Sequence, residues 1–167
     1  VTGVAECISH MWERKDYIID KLEEAIEQDK CSLEYCWKLL RDYPYMGPFM
    51  AYEVVTDLRH TYLLRDATDI LTWANAGPGA MRGLNRLAGR DLDFCRRTHP
   101  WNDEMRNLWE ISRERLNPNL IDLSQFEMRE IEGGLCEFDK YSRILNEEGR
   151  TRSIYKYDED LPLIEDI

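Results

Sequence analysis

Apolar residues recur at three-to-four spacing along this chain, the period of helices that bury one face. Within residues 11–28, Met11, Tyr17, Ile18, Leu22, Ala25 and Ile26 keep that spacing while charges fill the other side, which predicts an amphipathic surface helix ending at Gln28-Asp29-Lys30. Ser32 is placed to cap the next helix, over about 33–42, where Leu33, Cys36, Trp37 and Leu40 line one side. Pro44 breaks it, and Tyr43-Pro44-Tyr45-Met46-Gly47-Pro48 turns into a helix over about 48–60. Residues 66–75 read as a further helix, with Asp66 or Thr68 near its start and Trp73 facing inward, and a short helix follows Gly77-Pro78-Gly79.

Residues 91–101 form a less regular, aromatic and basic connection. Asn102 is expected to cap a helix over about 103–116, stopped by Asn117-Pro118-Asn119. Ser124 and Glu127 make an S-x-x-E capping box before the longest remaining helix, about 125–147. Gly133-Gly134 interrupts it. Two glycines in a helix cost about 2 kcal/mol relative to alanines, so a close approach of backbone or ligand is expected there. The pattern is that of an all-α protein with a single domain over residues 1–157 and an acidic tail over 158–167.

Length and composition narrow the picture. A chain of 167 residues with 43% hydrophobic content supports one core and not two. No apolar run reaches the length of a membrane span and no basic-then-apolar leader opens the chain, so a soluble, intracellular protein without a membrane partner is expected. Cys7, Cys31, Cys36, Cys95 and Cys136 form no CxxC pair and His10, His60 and His99 are scattered, so neither a disulfide framework, a metal nor a cofactor is anticipated. The net charge of −11 argues against a generic nucleic-acid coat. The charge is uneven, however. Asp158, Glu159, Asp160, Glu165 and Asp166 load the tail, while Arg82, Arg86, Arg90, Arg96 and Arg97 crowd residues 77–99.

Candidate chemistry gathers at the glycine-proline helix starts. Gly47, Gly77 and Gly79 place free backbone N–H groups beside residues too small to block a phosphate or a base. Arg82 and Arg86, four apart with Asn85 beside them, suit either a bidentate pyrophosphate clamp or a solvated helix face. Met50, Val54 and Asp57 fall at i, i+4 and i+7, so Asp57 borders an apolar face as a structural acceptor or a general base. Glu132 and Cys136 are i, i+4 partners; Glu137 and Lys140 are i, i+3 partners that read as a helix ion pair or as a functional acid with a tuned lysine.

Three strings in order, Gly47-Pro48-Phe49-Met50-Ala51-Tyr52-Glu53 through Asp57-Leu58, then Gly77-Pro78-Gly79-Ala80-Met81-Arg82-Gly83, then Leu135-Cys136-Glu137-Phe138-Asp139-Lys140-Tyr141, precede the arginine and tyrosine block Arg150-Thr151-Arg152-Ser153-Ile154-Tyr155. Together, over roughly residues 35–157, they resemble the phage-type α-glutamyl/putrescinyl thymine pyrophosphorylases and the helical domain of 5-hydroxymethyluracil DNA kinases. Family members usually carry an earlier segment with an Asn–Arg motif and often a histidine where Gly133 stands. The chain thus reads as the C-terminal part of the family domain, either with a second polypeptide supplying the rest, which is the expected partner, or as a processed or truncated piece.

The turn before Pro48 also resembles the helix-hairpin-helix of DNA glycosylases, whose amides hold a DNA phosphate, the alternative being an ordinary helical corner. By the same analogy Asp69 falls where such enzymes place a catalytic aspartate, although capping explains it equally. The resemblance implies DNA base hypermodification, in which an amino acid or polyamine displaces pyrophosphate from pyrophosphorylated 5-hydroxymethyluracil in DNA. In that scheme Gly47, Gly77, Gly79, Arg82, Asn85 and Arg86 hold phosphate or DNA. Asp57, Glu132 and Glu137 position or deprotonate the amine, and Lys140 offsets leaving-group charge. The alternative is a non-catalytic DNA-binding or assembly module beside a kinase or another chain. Base excision is a third reading, disfavoured in its Schiff-base form because the hairpin helix lacks lysine. The expected location is the cytoplasm of a phage-infected bacterium, or the nucleus of a eukaryote.

Overall fold

The computed structural model describes residues 2–95, 98–119 and 122–148. Its helices are α1 (Thr2–Glu13), α2 (Lys15–Glu27), α3 (Leu33–Leu40), α4 (Pro48–Leu58), α5 (Pro78–Leu87), α6 (Trp101–Arg115) and α7 (Met128–Leu145), with a short 3-10 turn at Leu123–Gln125. No strand occurs among the described residues, so the fold is all-α. The Arg150–Tyr155 block, the acidic tail and the pair Arg96-Arg97 lie outside the described residues.

Where cap and period coincide, the helices stand as expected. Ser32 accepts from the Tyr35 N–H at 3.0 Å to open α3. Gly47 and Gly77, both in extended backbone, precede a proline in the first position of α4 and α5.

Four expectations fail. The helix anticipated over 11–28 is two helices: the chain turns at Arg14, whose N–H donates to Met11 O and whose carbonyl accepts from Ile18 N. Residues 66–75 are a run of turns, because their polar groups serve other elements. Asp69 accepts from the Leu33 and Glu34 N–H groups at 2.6 and 3.0 Å, capping α3 from outside. Thr68 N donates to Cys31 O, and Ile70 O accepts from Met128 N at the start of α7. Asn102 does not cap α6, which follows Pro100; its Oδ1 accepts from Ala74 N at 2.9 Å. The capping box lies three residues later than expected, with Glu127 as the cap and the Glu130 carboxylate accepting from its N–H at 2.8 Å. Ser124 bonds Asp122 instead.

Two packed clusters make the core. Leu22, Cys36, Leu40, Val55 and Leu64 centre one, which α1 to α4 build. Ala80, Leu84, Met105, Met128 and Leu135 centre the other, which α5 to α7 build. Trp37 and Trp73 pack against both and seal the seam.

The double glycine is a second surprise. The α7 helix runs unbroken through Gly133 and Gly134, and a Cβ at either would meet nothing within 4 Å. Close approach occurs on α5 instead. A Cβ at Gly83 would sit 2.6 Å from Leu135 O, and one at Gly79 would sit 2.9 Å from Cys136 Sγ, so these two glycines let α5 lie directly along α7. Substitutions should therefore split in sign. Gly134→Ala is expected to stabilise by about 0.5–1 kcal/mol through helix propensity. Gly83→Ala drives a methyl into a backbone carbonyl that no rotamer change can clear, and is expected to cost about 2 kcal/mol net. Urea titrations with unchanged slope would read both; the same sign for the two would refute this account of the helix pair.

Candidate functional site

The seam between the two clusters opens into two cavities that share Phe49, Asn75, Gly77 and Pro78. The first turn of α4 is tied to the segment before α5, since Pro48 O accepts from Trp37 Nε1 at 2.9 Å and from Asn75 Nδ2 at 3.3 Å. Phosphate-sized groups could thus meet the start of α5 with α4 fixed beside it.

The first cavity, of about 520 Å³, is charged. Glu132, Glu137, Lys140 and Arg143 of α7 line it, facing Gly77 and Gly79 at the start of α5 and Glu53 of α4. Burial pushes the Glu132 carboxyl above its ordinary value, although its Oε1 accepts from Gly77 N at 3.4 Å and from Cys136 Sγ at 3.5 Å. Burial and the Glu132 charge push the Cys136 thiol up to about 12, so it stays neutral and is no nucleophile near neutral pH. Glu137 is exposed and pairs with Lys140, whose ammonium that hydrogen bond holds above its ordinary value.

Behind these residues lies an arginine cluster on Asp139, a nearly buried carboxylate with 3% side-chain exposure. It accepts from Arg86 Nε at 2.8 Å and Arg82 Nε at 3.3 Å, and Arg86 also pairs with Glu148. Arg143 Nε lies 3.4 Å from the same carboxylate without hydrogen-bond geometry. No hydrogen bond engages the Arg143 Nη groups among the described residues.

The second cavity, of about 660 Å³, is aromatic, lined by Trp37, Trp73, Trp101 and Phe49 together with Arg41 and Asn75. Pockets of this size are typical of small-molecule sites.

Of the residues singled out in the sequence, Glu132, Glu137, Lys140, Gly77 and Gly79 come together at the first cavity. Arg82 and Arg86 reach it only through Asp139. Asp57 is exposed in the last turn of α4 and lines neither cavity, and nor does Gly47. Asn85 is fully buried, donating to Leu92 O and Phe94 O and accepting from Arg90 Nε, so it holds the loop after α5. Glu53, Asn75 and Arg143 escaped the sequence reading. A signal existed for Arg143, because Glu132, Cys136, Lys140 and Arg143 follow one another at three-to-four spacing along one stripe of α7.

Among the described residues no group of His, Cys, Asp or Glu is arranged to hold a metal ion, and no helix is long and apolar enough to cross a membrane. The family model described as 5-hmdU DNA kinase, helical domain, matches residues 5–151. The match takes in most of α1 and all of α2, beyond the span of the motif strings. No curated protein and no solved structure matches the chain.

Proposed function

Because the chain belongs to the family of 5-hmdU DNA kinase helical domains, we propose that it acts in DNA base hypermodification, with the charged cavity as the place where an amine replaces pyrophosphate on a modified thymine. The observation that carries this reading is the convergence of Glu132, Glu137 and Lys140 with Gly77 and Gly79 on one cavity.

The residues divide the work by charge. Glu132 and Glu53 form an acidic side suited to an ammonium group, and Lys140 and Arg143 a basic side suited to pyrophosphate. The start of α5 adds its positive dipole end. Gly77 already donates to Glu132 and Pro78 has no N–H, so Gly79 supplies the donor there.

In the transfer, the amine nitrogen bonds to the exocyclic methylene carbon on the base. The carbon–oxygen bond to pyrophosphate breaks, its electron pair leaving on the pyrophosphate oxygen. The proton shed by the amine passes to Glu132, a stronger base than a solvated carboxylate because of its burial. The α3–α4 hairpin serves in this scheme as the helix-hairpin-helix element that seats the duplex by a phosphate. A kinase partner completes the scheme by phosphorylating the base.

A second reading, a DNA-binding or assembly module without catalysis, is favoured by the internal bonds of the acids: Glu132 to Gly77 and Cys136, Glu137 to Lys140. The test is to incubate the protein with its kinase partner and duplex DNA carrying pyrophosphorylated 5-hydroxymethyluracil, with mixed amino acids and polyamines. The DNA is then digested for nucleoside mass spectrometry. An amine-substituted thymidine is the expected product. Bound but unchanged DNA would replace this reading with the second, and absence of both product and binding would overturn each.

A further inference from the structure

The outer face of α7 carries a pattern that neither cavity uses. Gly134, Phe138, Tyr141 and Leu145 recur at three-to-four spacing, so they share one stripe of the helix. All four are exposed, as is Ile144 beside them. Phe138, Tyr141, Ile144 and Leu145 stand between 38% and 67% in solvent, roughly 500 Å² of mostly apolar side chain, as much as the largest patch on a typical monomer. Glu137 and Lys140 at its border already pair with each other. Gly133 lines the charged cavity, but Gly134 faces outward, and nothing in the fold would meet a Cβ there. A glycine at that position weakens the helix, and a bare backbone is what a second helix needs to come close from outside.

The stripe is complementary to itself. When two copies of one helix pack antiparallel about a two-fold axis, residue i meets j of the second copy as j meets i. With the axis passing between positions 139 and 140, Gly134 meets Leu145 of the second copy and Phe138 meets its Tyr141. One register makes both matches. A large side chain then sits over bare backbone at each end, and two aromatic pairs fill the centre. A partner of unrelated sequence would give no reason for small and large residues of a single helix to lie at two-fold-related positions. We propose that α7 pairs antiparallel with α7 of a second copy, making the chain a symmetric dimer through Gly134, Phe138, Tyr141 and Leu145. Both copies together cover roughly 1,000 Å², the lower end for a specific interface, so the dimer is weak and reversible. Each copy brings a net charge of −11, and salt, by screening that repulsion, tightens the pair.

Sedimentation equilibrium of the whole chain, from micromolar to millimolar concentration, reads the pairing without DNA or amine, so its outcome is independent of the transfer reading. Twice the chain mass should appear as concentration rises, and earlier at high salt than at low. Leu145→Glu, which buries an unpaired charge twice per dimer, should weaken association at least about a hundredfold. Gly134→Leu should weaken it about tenfold by overpacking, and Gly134→Leu combined with Leu145→Gly, which exchanges large for small, should regain most of the affinity. Trp12→Ser, at an equally exposed apolar position on α1, should change nothing. Circular dichroism checks that each variant is folded. A monomer at millimolar concentration in high salt would overturn the proposal and leave the face to another chain. A dimer that survives Leu145→Glu, or one that Trp12→Ser dissolves, would overturn its placement on α7. An exchange that restores nothing would overturn the antiparallel register.

Discussion

Asp139→Ala is expected to cost about 3 kcal/mol of stability, lowering the thermal midpoint by roughly 6–12 °C for a chain of this size. Asp139 is only 2% exposed and meets Arg82, Arg86 and Arg143 at once. Its removal leaves three cations around a void. The Arg86 side chain, 9% exposed, cannot reach water without moving α5, although it keeps Glu148. Arg82 and Arg143, at 29% and 36%, can turn outward, which holds the loss at the low end of that seen when buried ion pairs are broken. Asp139→Asn retains the shape and an acceptor, and should fall between wild type and alanine. Calorimetry on the three proteins decides the point. A wild-type melt for Asp139→Ala would mean that the arginines need no partner, and the pyrophosphate clamp read from Arg82 and Arg86 would regain its force.

Glu132→Gln should move activity and stability in opposite directions. If Glu132 takes the amine proton, amide replacement is expected to slow transfer by about 100- to 10,000-fold, the range for loss of a general base. Stability should rise. Burial raises the Glu132 pKa in the fold, so the carboxyl contributes its stabilisation below its unfolded value and loses it as pH rises through the folded value. Glutamine escapes that loss while its oxygen still accepts from Gly77 N. The variant should therefore be the more stable at neutral pH, with the gap closing as pH falls through the raised carboxyl pKa and gone below the ordinary one. Denaturant titrations from acid to neutral pH, paired with the nucleoside assay, test both halves. Unimpaired transfer would remove Glu132 from the chemistry, and a pH-independent gap would contradict the burial argument.

Local signals account for what could be read in advance. Ser32 before Leu33, Cys36 and Leu40 yields α3, and the glycine-proline pairs yield the starts of α4 and α5, because cap and period sit within a few residues of each other. Glu132, Glu137 and Lys140 share a cavity because they ride on one helix. The misreadings involve bonds that skip along the chain. Residues 66–75 have helix-like composition, but Asp69 answers to Leu33 and Glu34, more than thirty positions away. The same holds for Asn102 and Ala74. The double glycine pointed to a close approach that exists, yet on Gly79 and Gly83 of the facing helix.

By itself the sequence determined the helical class, the starts of α3, α4 and α5 and, through its motif strings, the family. These rest on short-range physics: the helical period, the missing proline N–H and the reach of a capping side chain. Tertiary structure alone decided which charges are spent and which are free. It turned Arg82 and Arg86 onto Asp139, buried Asn85 under the loop after α5, left Asp57 in solvent and set an aromatic cavity beside a charged one. A carboxylate or guanidinium carries no mark of its partner along the chain. Whether it binds a ligand or holds a fold depends on which opposite charge the packing of α5 on α7 brings within 3–4 Å.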